Sequence, residues 1–339
     1  MLRLRLAMAE ETTRTYHEQF RLATAVHNHS ERRSVQCLRY LEFSSGMWLS
    51  LWGMGEPLSV YDNKPERFLK RLFASDDNLP TRLYCANFER EEWRCQQFAF
   101  HLAEWLPDYA LPEEELRINH GNVLIKLHQA AIRVYTSSKY ESRGEAGEIA
   151  LHAICRDFFG TIPISPRVFY KSASNDVVKA FDMVHVKLPT GKPPQIWLGE
   201  SKLYKSGASA VAEAITSIRT HLEGGFLSNQ KIIIGPQIPK TTPRYDEIAQ
   251  IFSKQESLDE LIAKAVFVVA ILCDSKAVAA AKRQDETYIS AASKELNDLL
   301  ARFLNSGLPP SLRLLVLYVP LFSKKSFVEA FDKRLKGLQ

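Results

Sequence analysis

The 339-residue chain has no C-x-x-C pair, no Walker A sequence, no internal repeat, no low-complexity segment and no apolar run of membrane-spanning length. Each absence closes off a class of function. The five cysteines, Cys37, Cys85, Cys95, Cys155 and Cys273, are odd in number and scattered, so neither a zinc or dithiol redox centre nor a disulfide framework is expected. Free, buried thiols fit this pattern. The longest apolar run, around Ala265–Leu272, falls well short of the ~20 residues a spanning helix needs. Met1–Met8 (MLRLRLAM) is too short for a signal-peptide core, and Glu10 and Glu11 follow directly. The expectation is a cytoplasmic protein without a membrane partner. Without a Walker A sequence, any use of ATP has to come from a partner. Neither sign of charge dominates: 44 Lys and Arg against 39 Asp and Glu leave +5, a mildly basic balance that tolerates nucleic acid without selecting it.

What is present begins with Phe181–Lys202, which reads as a β-hairpin. Phe181–Leu188 is apolar and β-branched, Pro189–Pro194 reverses the chain, and Gln195–Leu203 forms the second strand. Side chains alternate along a strand, so Ile196, Leu198, Glu200 and Lys202 share one face, as do Asp182, Val184 and Val186. Apolar rows thus run into charges. A buried carboxylate without a partner is costly, so such a row means that the charges meet a partner, either each other or a metal ion. Mg²⁺, with Mn²⁺ as the substitute, takes hard oxygen ligands and is commonly held by one or two carboxylates plus a substrate phosphate. In such a site Glu200 binds the metal, the Ser201 carbonyl lies nearby, and Lys202 orients or helps to deprotonate an attacking water. The competing reading makes Glu200 and Lys202 a same-face ion pair and Asp182 a turn residue.

Arg143–Phe159 has helical period: Ile149, Ala150, Ala153, Ile154 and Phe158 form an apolar stripe with Glu145, Glu148 and His152 beside it. Acidic residues in a first turn are favoured by the helix dipole alone. If this helix packs on the hairpin, Glu148 or Glu145 supplies a third carboxylate.

A helix with Glu, a strand with Asp and a strand ending in Glu-x-Lys together resemble the PD-(D/E)xK nuclease superfamily. The segments RGEAGEIALHAICRDFFG, DVVKAFDMVHVKL and IWLGESKLYKSG are most similar to the nuclease subunit family, HamA, of the Hachiman anti-phage defence system. The resemblance spans residues 120–320 and is strongest from Arg143 to Gly207. It implies a restriction-endonuclease-like α/β core, DNA as substrate and a helicase partner (HamB-like) in a heteromeric complex. It also implies Asp182 and Glu200 as metal ligands, Lys202 as the catalytic lysine, and Glu148, or alternatively Glu145, as the helix glutamate. Phe181 stands where the superfamily's name has proline.

The length suggests two domains, with a boundary at the turn-rich, acidic Pro107–Glu115. Residues 1–115 form an N-terminal α/β or mixed region, and residues 116–339 the nuclease-like domain. The N-terminal region holds Trp48, Trp52, Trp93 and Trp105, which either pack a core or offer a docking or base-stacking surface. Arg32, Arg33, Lys64, Arg67, Lys70 and Arg71 form a solvated helix face or follow a phosphate backbone. In the second part, Arg167–Lys171 reads as the first core strand, Asn175-Asp176 as a turn and Ala208–Leu222 as a helix ended by Gly224-Gly225. Lys231–Gly235 then reads as a short strand or buried connection, and Tyr245–Lys264 as two helical stretches. Ala265–Cys273 reads as a central strand, Ser290–Asn305 as a helix, Leu312–Val319 as a final strand and Ser326–Leu338 as a basic helix. The alternation predicts a mixed central sheet flanked by helices. The functional expectation is a Mg²⁺-dependent deoxyribonuclease. The alternatives are a catalytically silent DNA- or helicase-binding module and a stand-alone repair or restriction nuclease.

Overall fold

A computed structural model describes residues 60–135, 144–165 and 181–339. In chain order its elements are β1 (Lys70–Ser75), β2 (Thr81–Cys85), the short pair β3 (Phe88–Glu89) and β4 (Glu92–Trp93), α1 (Cys95–Glu104), α2 (Leu106–Ala110), α3 (Val123–Val134), α4 (Glu145–Phe159) and β5 (Ile162–Ser165). There follow β6 (Met183–Lys187), β7 (Gln195–Tyr204), α5 (Gly207–Leu222), α6 (Gly224–Ile234), α7 (Tyr245–Ile251) and α8 (Leu258–Lys264). The chain ends with β8 (Ala265–Asp274), α9 (Lys276–Ala280), α10 (Glu286–Leu304), β9 (Leu314–Leu321) and α11 (Lys324–Lys336).

Seven strands form one mixed sheet in the order β1-β2-β9-β8-β7-β6-β5. β2, β9, β8 and β7 run parallel at its centre, and antiparallel strands flank them on both sides. The apolar runs of β8 and β9 occupy the middle because every residue but Asp274 is buried, as a strand covered on both faces requires. Ser206, Ser257, Ser275, Asp285 and Ser323 cap α5, α8, α9, α10 and α11, each accepting a backbone N–H from three residues on.

The two faces of β7 meet different helices. A Cβ added at Gly147 would lie 2.6 Å from Ser201 Oγ and 3.2 Å from Leu203, and one at Gly199 would lie 2.9 Å from both Leu151 and Met183. α4 therefore lies against Gly199, Ser201 and Leu203, an approach only glycines at both positions allow. Leu198, Glu200 and Lys202 project from the other face, towards α5 and α6.

Several expectations change. The 115/116 boundary does not hold among the described residues: β2 pairs in parallel with β9, so Leu58–Gln339 is one compact unit. The basic stretch read as a helix face contains β1 instead, whose exposed side chains mark the sheet edge. The strand before the hairpin is β5, at Ile162–Ser165. The expected strand Arg167–Lys171 and turn Asn175-Asp176 lie outside the described residues, as do Trp48, Trp52, Arg32, Arg33 and Cys37. Gly224 opens α6 rather than only closing α5, and Lys231–Ile234 is helical. Its buried residues Leu227, Gln230, Lys231 and Ile234 recur at helical spacing while Ile232 is exposed, so helical amphipathicity outweighs the β-branched run. Trp93 and Trp105 are buried. Among the described residues no helix is long and apolar enough to cross a membrane.

Candidate active site

The paired residues of the hairpin run from Met183↔Gly199 to Lys187↔Gln195 around the Pro189–Pro194 turn, where Gly191 has φ +67°. The regular ladder is shorter than Phe181–Leu188. One step beyond it, the Asp182 amide donates to the Gly199 carbonyl at 2.9 Å, and its Oδ2 accepts the Ser201 amide at 2.8 Å. This out-of-step pairing turns Phe181 into an aromatic group with His221, Phe226 and Phe267. Asp182 is thereby held against the Glu200-Ser201-Lys202 segment by backbone hydrogen bonds that orient its carboxylate.

Lys202 Nζ donates to Glu200 Oε1 at 2.6 Å, and both residues are largely buried. Burial opposes the Lys202 charge, but Glu200 and then Asp182 outweigh it and hold the ammonium above its ordinary range. The two carboxylates thus place the Lys202 ammonium at the charged end of the strand. Glu200 Oε2 is buried with no hydrogen-bond partner, as is the Ser201 hydroxyl. His221 Nδ1 is 3.9 Å from that oxygen, beyond hydrogen-bond reach. Burial pushes the His221 imidazole below the ordinary histidine range against the pull of Glu200, with Lys202 acting in the same direction as burial.

His221 carries no obvious sequence motif. Its signal is its place in the apolar stripe of α5, where Ala210, Val211, Ala214, Ile218 and His221 are the buried residues. A lone histidine in such a stripe reads as core until its neighbours are known.

The helix carboxylates do not join this cluster. Glu145 and Glu148 occupy the first turn of α4, which packs on the Ser201 face of β7, and Glu148 Oε2 accepts the Tyr109 hydroxyl at 2.6 Å. Among the described residues no three His, Cys, Asp or Glu side chains form a metal-holding group. The carboxylate that the resemblance implies as a third member, Glu148 or Glu145, stands on the helix covering the Ser201 side chain, while Glu200 projects from the other face of β7.

That second face holds a different buried network. Asp108 Oδ1 lies 2.7 Å from His152 Nε2, His152 Nδ1 lies 3.0 Å from His185 Nε2, and His185 Nδ1 lies 2.8 Å from Thr161 Oγ1. With Asp108 accepting, one arrangement satisfies all three: Thr161 donates to His185, His185 to His152, and His152 to Asp108. Arg156 grips both Asp108 oxygens, at 3.1 and 3.2 Å, and donates to the carbonyls of Thr161 and Tyr61. Burial opposes the Asp108 charge, but His152 and Arg156 outweigh it and lower the carboxyl below its ordinary value.

Two carboxylates, one with an orphaned buried oxygen, offer the hard oxygen donors a divalent cation takes, so the Asp182–Glu200 pair fits such an ion. No curated protein and no solved structure matches the chain. A family model described as HamA matches residues 65–335, most of the chain and all the strands of the sheet. The chain therefore belongs to the HamA family, a component of the Hachiman anti-phage defence system.

Proposed function

We propose that this protein is a metal-dependent deoxyribonuclease of the PD-(D/E)xK type, acting as the nuclease subunit of its defence complex. The observation that carries the reading is the orphaned, buried Glu200 Oε2 beside Asp182 and Lys202 at the end of the hairpin ladder. Leaving such an oxygen unsatisfied costs about 1–3 kcal/mol, and a purely structural ion pair gives no return for that cost. Asp182 and Glu200 would hold Mg²⁺ or Mn²⁺, with the Ser201 carbonyl beside them. The bound ion would supply charge stabilisation at the phosphate and a more acidic water. Lys202 orients that water and holds negative charge developing on the phosphate. Ser201 contributes through its amide, which fixes the Asp182 carboxylate. DNA as substrate follows from the family resemblance, as does control by a HamB-like helicase that restrains a nuclease dangerous to its host.

The test is degradation of plasmid and linear DNA by the purified chain in Mg²⁺, Mn²⁺ or EDTA, alone and with the helicase and ATP. Metal-dependent cutting is expected, falling at least ~10²-fold in Asp182→Ala and Lys202→Ala. Equal cutting by wild type and variants would remove the site assignment. A second reading, a silent DNA- or helicase-binding module, is favoured by the separation of Glu145 and Glu148 from the hairpin pair. It predicts DNA binding with no cutting under any of these conditions.

A further inference from the structure

Glu200 Oε2 and the His221 imidazole face one another beneath α5. Glu200 Oε2 is buried with no hydrogen-bond partner, and His221 Nδ1 stands 3.9 Å from it. Both residues are more than nine-tenths buried, at 8% and 7% exposure. The imidazole is not loosely placed: Phe226 stacks on it at 4.5 Å and Phe181 meets it edge-on at 4.4 Å. Phe181 directly precedes Asp182, so the same hairpin end that orients one carboxylate also clamps this ring. Their 3.9 Å separation is too long for a hydrogen bond and lies between the ~3.0 Å of cis and the ~4.2 Å of trans ligand atoms on metal bonds of about 2.1 Å, so a closure of under about 1 Å makes the two groups cis ligands of one ion.

The geometry points to His221 as a nitrogen ligand, through Nδ1, of a divalent cation shared with Glu200. This rests on the proposed metal centre and deepens it. The centre takes one imidazole from the helix after the Glu-x-Lys strand, with waters and a phosphate oxygen completing the shell, and it does not use the α4 glutamates. A ring nitrogen in place of an oxygen moves the site's preference from Mg²⁺ towards a transition metal such as Mn²⁺, because imidazole suits first-row metals better than it suits Mg²⁺.

The experiment uses the purified, untagged 339-residue chain and Mn²⁺ alone. Calorimetric titration reads affinity, and electron spin echo spectroscopy of the bound Mn²⁺ reads nitrogen coupling. Wild type is compared with Glu200→Gln and with His221→Phe, which keeps a ring between Phe181 and Phe226 but removes the nitrogen; circular dichroism checks that both are folded. Expected are a ¹⁴N coupling in wild type that is lost in His221→Phe, Mn²⁺ binding at least ~10-fold weaker in that variant, and a smaller change for Mg²⁺. Labelling the wild type with ¹⁵N-histidine should alter the coupling without any substitution, which decides the matter if His221→Phe does not fold. Mn²⁺ that binds in a Glu200-dependent manner without histidine coupling would overturn ligation by His221 and leave the carboxylate centre standing. Mn²⁺ binding that is absent, or insensitive to Glu200→Gln, would remove the centre itself and the ligation with it.

Discussion

The central sheet separates two buried polar clusters that differ in one respect. On the α4 face, Asp108, His152, His185, Thr161 and Arg156 form a network in which each group named has a partner, from carboxylate through two imidazoles to hydroxyl. On the α5 face, Asp182, Glu200, Lys202 and His221 gather, and one carboxylate oxygen, Glu200 Oε2, is left buried without a hydrogen-bond partner. Burial penalises both clusters, and only the closed one offsets that penalty fully with hydrogen bonds. Completeness of hydrogen bonding, rather than the presence of charge, is what separates the two clusters.

Three experiments break or sharpen that contrast. The largest effect is expected from Asp108→Ala, which strands the buried Arg156 guanidinium and removes the acceptor at the end of the imidazole chain. Denaturant unfolding should show a loss of about 3–5 kcal/mol. A loss below about 1 kcal/mol would mean that the closed network does not hold the fold together.

Acidification comes next. Burial lowers the pKa of His101 to about 4, while His152 and His185 are also depressed, chiefly by burial. The unfolded chain binds protons near pH 6.5 and the folded one resists, so the stability is present above about 6.5 and is lost as pH falls through the folded values. For His101 alone that amounts to something on the order of 3 kcal/mol between about pH 6.5 and 4. The structural cause is visible: His101 Nε2 accepts the Trp105 indole N–H at 3.1 Å, a bond that protonation abolishes. Unfolding midpoints measured from pH 7 to 4 should therefore decline, and a flat profile would contradict the neutral, buried state of these rings.

The smallest effect is expected from Glu200→Gln. It replaces the charged partner of Lys202 by a neutral acceptor while Asp182 still faces the ammonium, so stability measured by the same unfolding assay should change by less than about 1 kcal/mol in either direction. A loss as large as that of Asp108→Ala would make the α5-face cluster structural too, and the contrast would fail.

Much of the fold was legible because it is written in local period. The 3.6-residue stripe of α4, the unbroken apolar run of β8 and the turn chemistry around Gly191 are properties of short segments, and each segment folds close to where its pattern places it. Lys231–Gly235 reads as a strand or buried connection, and its first four residues are helical, because a β-branched run looks alike in a strand and in a helix with one exposed position. Only the burial of Leu227, Gln230 and Ile234 resolves it. The proximity of Asp182 to Glu200 and Lys202 was likewise legible, since a hairpin with a short turn brings those ends together. By itself, then, the sequence determined the hairpin, the charged end of its second strand and the α/β alternation, all of which depend on neighbours within one or two elements. Tertiary structure alone decided that β2 joins the sheet beside β9, that α4 and its glutamates lie across the sheet from Glu200, and that His221 faces Glu200 Oε2. Those outcomes depend on which face of a strand a distant helix covers, and that choice is set by the packing of Gly147 and Gly199 against their partners rather than by any local repeat.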